Sequence, residues 1–147
     1  MQNPAFRAYL ENKVLTASPE QLQLMLYEGA IRFALLARRA LEDRDFEKAQ
    51  DAFERVDAIL AELLAGLRPD TNPELCERYA SLYTFCCRKL NEANFRHDVN
   101  LLDDALKILH HLKDTWVLLL QKLAEERADD LPVVEESEYV EAVAIRA

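Results

Sequence analysis

The stretch Ser18-Pro19-Glu20-Gln21-Leu22-Gln23-Leu24-Met25-Leu26-Tyr27-Glu28-Gly29 decides the fold. Ser18 can accept a hydrogen bond from the backbone N–H of Gln21, and the Gln21 side chain can return one to Ser18. Pro19 has its φ preset for the first helical position, where no N–H is needed. From there apolar side chains recur every three or four residues. Leu22, Met25, Leu26, Gly29, Phe33, Leu36 and Ala40 share one face of a helix. The spacing predicts a helix over 18–43 with that stripe turned to a core.

The same signals repeat downstream. Asp45 is a cap for a helix over 45–67, whose stripe is Ala49, Ala52, Phe53, Val56, Ile59, Leu60, Leu63 and Leu67. The run Arg68-Pro69-Asp70-Thr71-Asn72-Pro73 breaks it, and Asn72 with Pro73 starts a third helix over 73–95. Asp98 caps a fourth over 98–127, with Leu102, Ala105, Leu109, Leu112 and Trp116 on its apolar face. Short connectors between long helices favour antiparallel neighbours. The expected fold is all-α, an antiparallel up-and-down four-helix bundle. Residues 1–17 are expected to be an N-terminal cap segment, too poor in apolar side chains to fold alone. Residues 128–147, acidic and interrupted by Pro132, are expected to form a flexible tail.

Composition agrees and narrows the function. The chain has 147 residues, half of them hydrophobic, enough for one domain with its own core. Two glycines, Gly29 and Gly66, are too few for hairpins, phosphate loops or a dinucleotide fold. The net charge is −9, of which residues 128–147 carry −5. An acidic surface repels phosphate backbones and anionic lipid, so neither nucleic acid nor membrane is an expected partner. No apolar run is long enough to span a bilayer, and no basic-then-apolar leader opens the chain. The expected location is the cytoplasm. Three cysteines, Cys76, Cys86 and Cys87, read as free thiols there.

Catalytic and metal patterns are missing. A di-iron bundle needs Glu-x-x-His on two helices. The residues three before His97, His110 and His111 are Asn94, Lys107 and Ile108. His110 and His111 point about 100° apart on a helix and cannot chelate one ion together. Cys86 and Cys87 diverge in the same way. Neither enzyme activity nor a cofactor is expected, and no metal.

A more informative feature is a second apolar stripe on the 18–43 helix. Leu24, Tyr27, Ile31 and Leu35 lie roughly opposite the first one. Cys76, Ala80, Tyr83, Cys87 and Asn94 form an uncharged band on the 73–95 helix. A bundle helix touches two neighbours, which alone can widen an apolar face. The other reading is a groove for an amphipathic partner helix, shielded by residues 1–17 when empty. Phe6, Tyr9, Leu10, Asn12 and Val14 would form that shield.

The run Tyr9-Leu10-Glu11-Asn12-Lys13-Val14-Leu15-Thr16-Ala17-Ser18-Pro19-Glu20-Gln21-Leu22 resembles the N-terminal signature of the flagellar export chaperone family FliS. Met25-Leu26-Tyr27-Glu28-Gly29-Ala30 continues it. Leu82-Tyr83 followed by Arg88-Lys89-Leu90-Asn91-Glu92-Ala93-Asn94 is similar to a second family block, and Leu109-x-x-Leu112-x-x-x-Trp116 to a third. The resemblance implies a four-helix bundle that holds the C-terminal segment of flagellin in the cytosol. It implies that this prevents premature polymerisation and delivers flagellin to the flagellar export apparatus. Matched positions are Tyr9, Asn12, Val14, Thr16, Tyr27, Gly29, Tyr83, Leu90 and Asn94, with Leu82 and Ala93 expected in the core. Combined with the second stripe, this makes Leu24, Tyr27, Ile31, Leu35, Ala80, Tyr83, Cys87, Leu90 and Asn94 the expected flagellin groove. The alternatives are a helical adaptor or anti-regulator for another partner, and a metal or redox bundle. The expected state is a monomer, or a weak or domain-swapped dimer.

Overall fold

The computed structural model describes residues 4–128, and all of its regular structure is helical. The acidic stretch from residue 129 onward lies outside the described residues. Five helices follow in order: α1 (Pro4–Thr16), α2 (Pro19–Glu42), α3 (Phe46–Ala65), α4 (Pro73–Arg96) and α5 (Val99–Ala128). Four of them, α2 to α5, build a closed bundle, and each lies within three residues of the span expected from its caps and breaks.

The helix starts follow from local chemistry. The Gln21 amide donates to Ser18 Oγ at 3.2 Å, and the Ser18 amide donates to Gln21 Oε1 at 3.1 Å. Asp45 accepts from the Lys48 amide and Asn72 from the Leu75 amide, each at 3.1 Å. Each bond satisfies an N–H that the first helical turn would leave orphaned. Two tight reversals use non-glycine residues with left-handed backbone, Arg44 (φ 58°) and His97 (φ 54°). These two turns lie at the same end of the bundle. There the His97 ring stacks on Phe46 with centroids 3.8 Å apart, and the Arg44 guanidinium lies 5.6 Å from the same Phe46 ring.

Cross-contacts run in opposite senses along α2 and α5, and along α4 and α5. Between α2 and α5, the Glu20 carbonyl accepts from Trp116 Nε1 at 2.9 Å, and Arg38 forks onto Asp103 at 2.8 and 3.1 Å. Between α4 and α5, the Cys86 thiol donates to the Ala105 carbonyl, while Lys89 pairs with Asp104. Between α3 and α4, Asn94 Nδ2 donates to Gln50 Oε1 at 2.8 Å.

The core runs through Tyr27, Ala30, Ala34 and Ala37 of α2, Phe53, Val56 and Leu60 of α3, Tyr83, Cys86 and Leu90 of α4, and Leu102, Leu109 and Trp116 of α5. Burying each such leucine contributes about 1.5–3 kcal/mol. The inward side of α2 is the main departure from the sequence expectation. Leu22, Met25, Leu26 and Phe33 are only half-buried and Leu36 is 45% exposed, although they were expected to form the core face. The true core stripe is Gln23, Tyr27, Ala30, Ala34, Ala37 and Leu41. Alanines let the α2 backbone approach its neighbours closely, and the larger side chains are displaced to its flanks. Ala40, expected in the core, is buried there.

Residues 1–17 were expected as a cap segment too poor in apolar side chains to fold alone. From Pro4 to Thr16 they form α1, and none of its residues is buried.

Candidate functional site

The displaced α2 flank builds a groove. Leu22, Met25, Leu26, Gly29 and Phe33 form its α2 wall, and Ile59 of α3 forms part of the opposite wall. Gly29 keeps the two helices close. A Cβ added there would stand 3.2 Å from Ile59 Cδ1. Leu10, Lys13 and Val14 of α1 roof the groove, which has a volume of about 350 Å³. The roof is thin. Leu10 is half-buried and Val14 is 44% exposed, while Leu15 points almost entirely to solvent. The α1 helix therefore covers apolar side chains without sinking its own into them.

The groove rim is basic. Arg32 and Arg55 hold their guanidinium groups 5.1 and 5.3 Å from the centroid of the Phe33 ring, and Lys13 hangs from the roof. Glu28 is the one acid among the lining residues. A second, shallower groove lies on the α5 side of α2. It is lined by Glu28, Ile31, Arg32, Leu35, Leu36 and Lys113, encloses about 460 Å³, and has no α1 residue in its lining. The two grooves share Glu28 and Arg32 and so meet across the outer surface of α2.

The nine residues expected to form one flagellin groove are distributed over four places. Tyr27, Tyr83 and Leu90 lie in the core. Ile31, itself buried, and Leu35, 47% exposed, line the α2–α5 groove. Ala80, Cys87 and Asn94 are half-buried on α4, and Leu24 is half-buried on α2. Of the expected cap residues, Leu10 and Val14 reach the roof of the α2–α3 groove, whereas Phe6, Tyr9 and Asn12 are exposed. The groove-lining Leu22, Met25, Leu26, Phe33 and Ile59 are residues whose spacing predicts core positions. The alanines at 30, 34, 37 and 40 were the available signal, since a helix facing the core with alanine turns its larger residues elsewhere.

The ionisable groups of the interior are held neutral. Burial pushes the Tyr83 phenol and the Cys86 thiol each up to about 12, and raises Tyr27 as well. Burial, then the nearby Asp57 charge, raises the Cys87 thiol. High thiol pKa values leave little thiolate at neutral pH, so these cysteines are poor nucleophiles. Among the described residues no group of three or more His, Cys, Asp or Glu side chains is placed to hold a metal ion. No described helix is long and apolar enough to cross a membrane. What the surface offers is apolar area with basic edges, suited to an amphipathic polypeptide.

The sequence of residues 1–123 matches the family model described as flagellar protein FliS, which takes in α1 and every residue of both grooves. The chain belongs to the FliS family. It is 32% identical to the flagellar secretion chaperone FliS of Bacillus subtilis over 127 residues, 86% of this chain and 93% of that protein. Against the flagellar secretion chaperone FliS of Campylobacter jejuni it is 30% identical over 114 residues, 78% of this chain and 89% of the relative. The Salmonella typhimurium flagellar secretion chaperone FliS is 31% identical over 108 residues, 73% of this chain and 80% of the relative. FliS proteins are chaperones, which are not an enzyme class.

Proposed function

We propose that this chain is a cytosolic chaperone that binds the C-terminal segment of flagellin, prevents its premature polymerisation and delivers it to the flagellar export apparatus. One observation carries the reading beyond family membership: an apolar groove roofed by a helix of the same chain that buries none of its own residues. A roof so lightly held can be exchanged for a better one. An amphipathic flagellin segment would set its apolar stripe against Leu22, Met25, Leu26, Phe33 and Ile59. The stripe that drives flagellin self-association would then be occupied. Folding of a segment onto the bundle in this way buries on the order of 1,000–3,000 Å². The ordering entropy of the segment offsets part of the gain and keeps the complex releasable.

The test uses purified protein with intact flagellin and with flagellin lacking its C-terminal segment. Binding to the intact protein and its loss on truncation are expected. Equal affinity for the two would overturn the assignment of the partner segment.

A further inference from the structure

We infer that the α2–α5 groove is the entry site for the flagellin segment, and that it recognises an amphipathic helix carrying an acidic group at its edge. The inference rests on the flagellin reading above and adds a location, a charge requirement and an order of events.

The α2–α3 groove is bordered by Leu10, Lys13 and Val14, so a partner filling its whole length must displace α1 or share the groove with it. The α2–α5 groove has no such roof. Its apolar floor is presented directly to solvent by Leu35, 47% exposed, and Leu36, 45% exposed, with Ile31 beneath. Two cations border it, Arg32 from α2 and Lys113 from α5. Neither takes part in an ion pair among the described residues. Glu28 is the single acid of the lining, so the groove carries a surplus of one positive charge, whereas residues 1–127 as a whole carry −4. A partner carboxylate placed at its edge meets attraction there and repulsion over much of the rest of the surface. This is the condition for electrostatic steering to one place.

Arg32 also lies at the rim of the roofed groove, where it covers Phe33. A helix seated beside Leu35 and Leu36 and continuing past Arg32 would approach the groove that α1 borders. Contacts made in the open groove hold the segment at high effective concentration while α1 leaves. Entry is charge-assisted and the later step is apolar.

The experiment measures association rate and affinity of the full chain for purified flagellin by stopped-flow and calorimetry, at low and moderate salt. Lys113→Glu and Leu35→Glu sit on exposed or half-exposed positions, and far-UV melting curves verify that each variant folds. Leu35→Glu is expected to weaken binding about tenfold. Lys113→Glu is expected to slow association about fivefold at low salt, and to remove most of the salt dependence seen with the unsubstituted chain. Binding within twofold of the unsubstituted chain for both folded variants overturns the inference and leaves the flagellin assignment standing. Failure of the unsubstituted chain to bind flagellin defeats that assignment instead. If Leu35→Glu converts a dimer into a monomer by sedimentation, the groove's occupant is a second copy and the inference is wrong. If removing residues 129–147 accelerates binding and Leu35→Glu then adds nothing, the occupant is the chain's own acidic segment, and again it is wrong.

Discussion

The hydroxyl oxygens of Tyr27 and Tyr83 lie 2.7 Å apart where α2 faces α4, and both side chains are fully buried. Gln23 Nε2 closes the triangle, donating to Tyr27 Oη at 2.8 Å and to Tyr83 Oη at 3.3 Å. Three polar groups in an apolar bundle satisfy one another. Such a cluster fixes how α2 and α4 are rotated about their axes, because any other rotation strands a polar group away from water. It also explains why Tyr27 faces inward while the larger aliphatic residues of α2 do not.

Tyr27→Phe combined with Tyr83→Phe leaves the Gln23 amide buried without its two partners. A stranded buried polar group costs about 1–3 kcal/mol, in addition to the lost bonds. The double variant is expected to lose roughly 2–4 kcal/mol in urea unfolding. Adding Gln23→Leu removes the stranded amide and should return at least half of that. A triple variant no more stable than the double would show that the triangle is not the source of the loss.

The same interior makes the fold sensitive to alkali. Cys86 and Tyr83 are each pushed up to about 12, and Tyr27 is raised too, all chiefly by burial. In the unfolded chain a thiol releases its proton near pH ~8.5 and a phenol near pH ~10. Above those values the unfolded state binds fewer protons than the native state, so stability falls with rising pH. The contribution is fully present below about pH 8.5 and is lost progressively up to about pH 12. Urea midpoints at pH 8, 9.5 and 11 should descend in that order. In Cys86→Ala the descent through the thiol range should become shallower, with the raised Cys87 thiol carrying what remains of it and the phenols taking over at higher pH. A flat profile to pH 11 would contradict the burial of these groups.

Gly29→Ala separates fold from function. Alanine in a helix is favoured over glycine by about 1 kcal/mol. The new Cβ would approach Ile59 Cδ1 to 3.2 Å, but that atom is the end of a half-buried side chain on the groove wall and can turn away. A gain of about 0.5–1 kcal/mol in stability is expected, together with weaker flagellin binding because the groove narrows. Destabilisation would mean that Ile59 is locked in place. A gain in stability with unchanged binding would place the partner elsewhere.

Much of the fold was legible because its punctuation is chemical and local. Ser18, Asp45 and Asn72 cap, Pro19 and Pro73 start, and the observed bounds follow them. The stripes of α3 and α5 were also legible, since Phe53, Val56, Leu60, Leu102, Leu109 and Trp116 are both large and inward. The rotation of α2 was not. Size and hydrophobicity pointed to Leu22, Leu26, Phe33 and Leu36, whereas close helix packing selected Ala30, Ala34 and Ala37. Consequently Tyr27, expected on the outer stripe, lies in the core, while Leu22, Met25, Leu26 and Phe33, expected in the core, line the α2–α3 groove. Helix α1 was illegible for a related reason. Phe6, Tyr9, Leu10 and Val14 recur at helical spacing, but Lys13 interrupts their face and Leu15 lies opposite, so the apolar stripe is too weak to announce a helix.

Removing residues 1–13 tests whether α1 competes with the partner. Leu10 and Val14 roof the α2–α3 groove, yet no α1 residue is buried, so the seated state is held by only a small apolar contact. A contact worth about 1.4 kcal/mol corresponds to a tenfold excess of the seated over the open state. Apparent affinity is reduced by the fraction of molecules that are open. The truncated chain should therefore bind flagellin about tenfold more tightly, mainly through faster association. Leu10→Asp in the full chain should reproduce most of the effect, because a carboxylate cannot rest on Leu22 and Phe33 without losing its water. That variant excludes the explanation that truncation merely shortens the chain. An association rate unchanged in both would mean that α1 does not guard the groove. A slower rate would mean that α1 joins the partner in the complex, adding its exposed Phe6 and Tyr9 to the surface that holds it.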